Sequence, residues 1–268
     1  MEKVSKKKVT TVLVTFNRKE LLKVVLEKLN KLDYKNNVIL IVDNASTDGT
    51  YQYIERYIDN NKIYYVNTGN NLGGAGGFSY GIKYSLKKFN SDYYWLMDDD
   101  CFVNTDSLSK LIEASEILDN NFGFLSSLVL WKDGKVCEMN KQKIKQPWHK
   151  KGEFLKNSLI LTYYATFVSF FVKREVIKDV GLPIKDFFIW GDDVEYSDRI
   201  SKKYDCYIVG NSVVEHAIQN NSGSNIAVDS ENRIPRYKFA YRNEIYIAKK
   251  NGVKGLCRQF LKINLHIK

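Results

Sequence analysis

The sequence predicts an α/β protein built around a largely parallel sheet. Two observations predict it. Over the first hundred residues, short β-branched or apolar runs alternate with longer segments of helical periodicity. No hairpin signal joins one run to the next, so successive strands are expected to be linked by right-handed helical crossovers. A sheet of that kind binds ligands beyond the carboxyl ends of its strands.

The elements follow in order. Val9 to Phe16 reads as the first strand, and Leu21, Leu22, Val25, Leu29 and Leu32 repeat at helical spacing. Val38 to Val42 (VILIV) reads as a fully buried strand. Asp48 or Thr47 can cap a helix carrying Tyr53, Ile54, Tyr57 and Ile58. Ile63 to Val66 is a third strand. A glycine-rich loop, a helix to about Phe89 and a strand from Tyr93 to Met97 complete the regular half. The second half is less regular. Phe122 to Trp131 is expected as a strand, Lys132 to Lys135 as a tight turn, and residues 138–157 as a polar, basic excursion. The apolar stretch 158–172 is expected to return to the sheet as a pair of strands. Asp192 to Lys203 and Pro235 to Lys250 read as helices, and Gln219 to Asn225 as a flexible loop. There is no internal repeat and no interdomain linker.

Composition narrows the class. The chain has 268 residues, 44% of them hydrophobic, with 27% charged and 3 prolines, which excludes disordered, collagen-like and proline-rich chains. Lys+Arg exceeds Asp+Glu by 41 to 31, a net +10, so the surface favours polyanions or serves solubility alone. The four cysteines, Cys101, Cys137, Cys206 and Cys257, form no CxxC pair. Their spacing suits reduced thiols and hence a cytoplasmic location. The start of the chain makes a poor signal peptide. The uncharged run between Lys156 and Lys173 is too short and too polar for a membrane span.

Three segments carry chemistry. The apolar run Tyr93 to Met97 ends in Asp98-Asp99-Asp100. Strand alternation predicts Asp98 and Asp100 on one side with Asp99 pointing away. Carboxylates that close need a compensating cation, and oxygen ligands suit Mg²⁺ or Mn²⁺. The alternative is capping of a helix from Ser107 to Leu118. Next, Asn70 to Phe78 places four of 16 glycines within five residues, allowing a ligand or another backbone to come close, and opens a helix whose free N–H groups favour anions. It fits neither the P-loop nor the dinucleotide fingerprint, and a plain strand-to-helix turn is the alternative. Last, Phe187 to Tyr196 leads aromatic residues into Asp192, Asp193 and Glu195. One of these carboxylates can serve as general base, and Trp190 offers a face for a sugar ring; helix capping is again the alternative. His216, after the apolar strand Tyr207 to Val214, is by itself a polar strand end.

Thr15-Phe16-Asn17-Arg18, the segment Val42 to Thr50 (VDNASTDGT) and Asp98-Asp99-Asp100 together resemble an inverting family-2 glycosyltransferase of GT-A fold, from Thr10 to about Asn243. Asn71 to Phe78 combined with Trp190 to Tyr196 is most similar to galactofuranosyltransferases and related rhamnosyltransferases. One departure is Gly191 between Trp190 and Asp192, where galactofuranosyltransferases tend to join the two directly.

The resemblance implies a metal-dependent transfer of a sugar from a nucleotide donor, UDP-galactofuranose in the first reading and dTDP-rhamnose in the second. Thr15, Phe16, Arg18, Asp43, Asn71 and Asp99 would hold the nucleotide. Asp98, Asp100 and His216 would hold Mn²⁺ or Mg²⁺. Asp192 would be the base, and Trp190, Asp193 and Glu195 would face the acceptor, a glycan or polyprenyl-linked glycan of cell-surface polysaccharide synthesis. It also implies one catalytic domain over 1–250, with a nucleotide-sugar half (1–104) and an acceptor half (105–250). Residues 251–268 form a basic amphipathic tail that can lie on the inner face of the membrane or pack on the core. A nucleic-acid polymerase would need more than the triplet Gly191-Asp192-Asp193, so no nucleic-acid partner is expected. A noncatalytic glycan-binding protein would have no need of two acidic clusters.

Overall fold

The computed structural model describes residues 7–266 except 60, 146–151, 225, 228 and 232, with no side-chain description beyond 261. In chain order the elements are β1 (Val9–Thr15), α1 (Lys19–Asn30), β2 (Asn37–Asp43), α2 (Thr50–Ile54), β3 (Ile63–Asn67), α3 (Gly73–Lys88) and β4 (Tyr93–Asp98). Then come β5 (Cys101–Val103), α4 (Ser107–Ile117), β6 (Phe124–Leu130), β7 (Lys143–Ile144), α5 (Gly152–Lys156), β8 (Leu159–Tyr164) and β9 (Phe170–Lys173). The last are α6 (Arg174–Val180), α7 (Asp192–Ser201), β10 (Tyr207–His216), α8 (Tyr237–Lys250) and α9 (Gly252–His266).

The sheet order is β3-β2-β1-β4-β9-β6-β10-β8-β7, with β5 on β10. The first four strands are parallel, as expected. All seven residues of β1 are buried, because helices cover both faces of a parallel sheet. Register aligns Thr15 with Asp43, and Val14 with Asp98, so these acids meet at the carboxyl ends of neighbouring strands.

Two expectations are corrected. The apolar stretch 158–172 does supply two strands, but they do not pair with each other. β9 inserts antiparallel between β4 and β6, and β8 lies on the far side of β10. One sheet therefore runs through both halves of the chain. The helix expected through Ile58 is only the single turn of α2, followed by a 3-10 turn at Glu55–Tyr57. Asp48 does serve its start, accepting the Thr50 N–H at 3.1 Å. Two glycines of α3, Gly77 within the glycine-rich segment and Gly81 beyond it, answer to packing. A Cβ on Gly77 would come within 2.6 Å of Val14, and one on Gly81 within 2.6 Å of Val12 and 2.7 Å of Val42. Bare helix backbone is what lets α3 lie directly on β1 and β2.

The basic excursion contains β7 and α5, and its residues 146–151 lie outside the described ones. α9 packs on α8 through Gly255, where a Cβ would meet Ala248 O at 2.4 Å, and through a Gln259–Glu244 hydrogen bond of 2.8 Å. Val253, Phe260 and Leu261 stay exposed, so the tail does not join the core. Among the described residues no helix is long and apolar enough to cross a membrane.

Candidate active site

β4 stops at Asp98, so strand alternation does not govern the two acids after it. Asp99, expected to point away, is buried and accepts the Thr15 hydroxyl at 2.7 Å and Arg18 Nη1 at 3.1 Å. The same Arg18 nitrogen reaches Asp100 Oδ2 at 2.5 Å. Thr15, expected beside the nucleotide, thus turns its hydroxyl inward because β1 buries both faces. The chain then re-enters the sheet as β5 rather than beginning a helix, and α4 starts only at Ser107. Capping is not the role of these acids.

β5 pairs antiparallel with the end of β10, with Cys101 opposite His216. That register carries the histidine to the acid cluster, where its Nε2 lies 3.2 Å from Asp100 Oδ1. The ring is oriented from behind by Asn140, whose Oδ1 is 2.8 Å from Nδ1. Nδ1–H donates there, so Nε2 is the nitrogen presented to Asp100. Asp100 Oδ1 is buried and has no hydrogen bond of good geometry. Two facing lone pairs at that distance repel, so a cation belongs on or between them, either a proton on His216 or a metal ion. With only a proton to draw on, burial would lower the His216 pKa, but Asp100 outweighs it and pushes the value up to about 10. Asp100, raised by burial, is held down at about 2 by His216 and Arg18.

Asp98 lacks such partners. Burial and the Asp100 charge push it up to about 7. Burial likewise raises Asp99 to about 6, against the pull of Arg18. Among the described residues no group of three His, Cys, Asp or Glu is gathered at metal-binding distances, so His216 and Asp100 are the assembled part of the expected triad.

The second acidic segment is delivered by a contorted loop. Phe188, Trp190 and Gly191 all have positive φ, at 64°, 64° and 86°. For the two aromatic residues this backbone is costly and must be held from outside. Asn243 of α8 holds it. The buried amide Nδ2 donates to the carbonyls of Phe187 (2.9 Å), Ile189 (3.2 Å) and Trp190 (2.7 Å). Arg242 Nη2 adds bonds to Asp186 O (2.5 Å) and Phe187 O (3.0 Å). The loop also closes the start of α3, since Phe188 O accepts the Ala75 N–H at 3.1 Å and Asn71 Oδ1 accepts the Gly73 N–H at 2.9 Å. Asn71 is exposed there, and the glycine segment is not an open phosphate cradle.

Asp192 then opens α7, buried and close enough to Asp98 for the two charges to oppose each other. Burial first, then Asp193 and Asp98, push its carboxyl well above the usual range. Asp193 is raised to about 6 by burial, with the Val194 N–H at 2.7 Å working the other way. Glu195 is occupied elsewhere. It accepts Arg199 Nη2 and Lys250 Nζ, both at 2.9 Å, and is lowered by them despite its burial. Trp190 is half-buried, edge-on to Tyr237 at 4.9 Å. Asp43 is 1% exposed, and its two oxygens accept the Ser46 N–H (2.8 Å) and the Tyr65 hydroxyl (2.6 Å). Phe16 is partly exposed where β1 ends.

Asn140 and Asn243 were not foreseen. Each acts through backbone or ring positions far away in sequence, and a lone asparagine carries no local signal for that.

Residues 10–181 match the family described as Glycosyl transferase family 2. The chain belongs to that family. The matched stretch includes Asp43 and Asp98 to Asp100 but ends before Asp192 and His216. Among curated relatives, a galactofuranosyltransferase of Mycolicibacterium smegmatis is 26% identical over 207 residues, which is 72% of this chain and 65% of that one. A dTDP-rhamnosyl transferase of Shigella flexneri is 26% identical over 253 residues, 90% of this chain and 80% of that one. The chain therefore spans just under two thirds of the first relative's length. A mannosyltransferase of Pyrobaculum calidifontis, solved with GDP-Man and Mn²⁺, superposes with a TM-score of 0.63 at 18% identity, covering 92% of this chain and 65% of its own. That likeness establishes the GT-A fold.

Proposed function

We propose that this family-2 chain is an inverting glycosyltransferase that moves galactofuranose from UDP-galactofuranose onto a glycan or polyprenyl-linked glycan. The observation that carries the reading is the convergence of two unlike acid sites, His216-paired Asp100 and unpaired Asp192, with Asp98 between them in the electrostatics. Asp98, Asp100 and His216 would hold Mn²⁺ or Mg²⁺. The donor set suits these ions, and the cation-requiring contact of His216 Nε2 with Asp100 Oδ1 fits one. When bound, the metal neutralises charge on the departing diphosphate. Arg18, Asp43, Phe16 and Asn71 lie on the nucleotide side, with Thr15 and Asp99 shaping Arg18 from within. Asp192 takes the proton of the acceptor hydroxyl as that oxygen bonds to the anomeric carbon. The bond to the diphosphate oxygen breaks on the opposite face, which inverts the centre. Trp190 and Asp193 border the acceptor. Burial raises the Asp192 pKa, so its carboxylate, once ionised, is a stronger base than one in water.

The runner-up donor, dTDP-rhamnose, is favoured by the relative that aligns over 90% of this chain. The basic, apolar exposed face of α9 supports a peripheral position on the inner face of an anionic membrane, where a polyprenyl-linked acceptor would be presented.

The test is transfer across a panel of nucleotide sugars, with and without EDTA. Turnover of UDP-galactofuranose, abolished by EDTA and restored by Mn²⁺ or Mg²⁺, is expected. Turnover of dTDP-rhamnose alone moves the assignment to the second donor, and full activity in metal-stripped enzyme removes the metal.

A further inference from the structure

The loop that delivers Asp192 is wedged between the start of α3 and one face of α8. Phe188 and Trp190 hold positive φ, a backbone that aromatic residues leave unless something outside keeps them there. α8 meets the loop with rings. Phe188 stacks on Phe239 at 4.7 Å, and Phe187 meets Tyr246 edge-on at 5.3 Å, as Trp190 meets Tyr237. On the α3 side Gly73 has no room for a Cβ, which would fall 2.1 Å from Phe188 O, and the Ala75 N–H donates to that same oxygen. Rings and a glycine seat place the loop as a whole, but they leave the orientation of its later peptide planes open.

Asn243 fixes those planes. The residue is 1% exposed, and its Nδ2 serves the carbonyls of Phe187, Ile189 and Trp190 together. Its Oδ1 accepts Arg242 Nε at 3.1 Å and Nη2 at 3.0 Å. A reversed amide would set N–H groups against a guanidinium and an oxygen against three carbonyls, so the orientation is determined from both sides. The last of the three carbonyls belongs to the Trp190–Gly191 peptide. Gly191, at φ 86°, follows it, and Gly191 O accepts the Glu195 N–H at 2.9 Å in the first turn of α7. The peptide that Asn243 holds is therefore the one that sets the direction of α7 and the place of its first side chain, Asp192.

We propose that Asn243, oriented by Arg242, is a positioning residue for Asp192, fixing the Trp190–Gly191 peptide so that the base meets the acceptor hydroxyl. This rests on the function proposed above and adds to it a residue of α8, outside the family-matched stretch, on which the proton transfer depends. Packing alone would call for an apolar side chain at this buried position. An amide with two N–H groups against three carbonyls fixes orientation rather than volume. Proton transfer is sensitive to orientation, since a displacement of about 1 Å at a reacting group costs about 10²-fold in rate.

The experiment is a double-mutant cycle on the full chain with Mn²⁺ present. Release of UDP from UDP-galactofuranose and of dTDP from dTDP-rhamnose is followed with octyl galactoside and octyl N-acetylglucosaminide as acceptor probes. Affinity for UDP and dTDP is measured by calorimetry. The proteins are the parent, Asn243→Ala, Asp192→Asn, the double variant, and Ala248→Gly, which loosens α8 where it meets α9. Asn243→Ala should lower kcat about 10²-fold, with nucleotide affinity within about twofold of the parent. The double variant should match Asp192→Asn within about twofold, because the place of a proton acceptor no longer counts once the acceptor is gone. Ala248→Gly should keep parental kcat at a temperature where it is folded. Parental kcat in Asn243→Ala, or losses that multiply in the double variant, overturn the proposal and leave the glycosyltransferase reading standing. So does a loss in Ala248→Gly equal to that in Asn243→Ala. Should Asn243→Ala not fold, Arg242→Gln takes its place in the cycle. It removes the exposed group that orients the amide, and should lower kcat about tenfold with the same non-additivity. A parent that releases neither diphosphate overturns both readings together.

Discussion

Asp98 to Asp100 and Asp192 to Asp193 are both short acidic runs that follow aromatic residues, yet the fold treats them in opposite ways. The first lies at the end of a parallel strand and is met by cations from two distant segments, Arg18 and His216. The second opens a helix and is met by backbone N–H groups and by other carboxylates. Within the first cluster only Asp100, held by both His216 and Arg18, is pulled down to about 2 and stays ionised; Asp98 and Asp99 are raised by burial to about 7 and about 6. Buried carboxylates without such a pair of cations hold a proton more tightly and can exchange it. Under the proposed function, the contrast between Asp100 and Asp192 would put charge neutralisation at the strand end and proton transfer at the helix start.

Separating the two roles at Asp192 gives the largest expected effect. Asp192→Asn keeps shape and hydrogen-bonding capacity but cannot take a proton. Loss of general-base catalysis costs about 10²–10⁴-fold in kcat. Nucleotide affinity and Tm should barely move. Near-full turnover would shift the base to Asp193. A protein that melts early instead would show that Asp192 serves the helix start and not the reaction.

The strand-end side is sharpened by a smaller change that replaces no proposed ligand but removes the support of one. Asn140 fixes the His216 ring through Nδ1 and is itself held by Thr166 Oγ1 at 2.7 Å. Outer partners of this kind typically contribute about 10–100-fold to metal affinity. Asn140→Ala should therefore weaken Mn²⁺ binding by that factor in a direct titration, with metal-free nucleoside binding unchanged. An unaltered Mn²⁺ titration would mean that His216 acts only as the protonated partner of Asp100.

The same comparison shows what could be read in advance. β1 to β4, α1 and α3 were legible because each is written in local periodicity, and the acid-bearing carboxyl ends followed from parallel topology, whereas the apolar spacing through Ile58 overstated α2. β5 was not legible, since three residues, Cys101 to Val103, carry no period. Without β5 the register that brings His216 beside Asp100 cannot be derived, and the histidine's place rested on resemblance alone. β9 was visible as a strand, but its antiparallel insertion depends on pairing with β4 and β6, which lie far away in sequence. The alternation argument for Asp99 failed because it was carried past Asp98, the last residue with strand geometry. The positive φ of Trp190 is set by Asn243, 53 residues on, and nothing near Trp190 announces it.

Glu195 gives the smallest effect and the cleanest test of where the second acidic site ends. The sequence places it beside the acceptor. The structure pairs it with Arg199 and Lys250, and its side chain is 4% exposed while the two cations are 25% and 44% exposed. Such a pair lies between a surface bridge, worth about 0–1 kcal/mol, and a buried one, whose disruption costs about 3–5. Glu195→Gln should then cost about 2 kcal/mol at neutral pH. For a chain of this length that lowers Tm by roughly 4–8 °C. The pH dependence has a definite sign. The folded protein lowers the Glu195 pKa below its usual 4.5, so its contribution is fully present above about pH 4.5. It fades as the pH falls through the depressed folded value, and the Tm gap between parent and variant should close over that acid range. Turnover at 25 °C and neutral pH should be unchanged, since the ion pair ties α7 to the end of α8 and does not face the reacting groups. A variant with parental Tm but a raised acceptor KM would return Glu195 to the acceptor side and extend the proton-handling cluster by one residue.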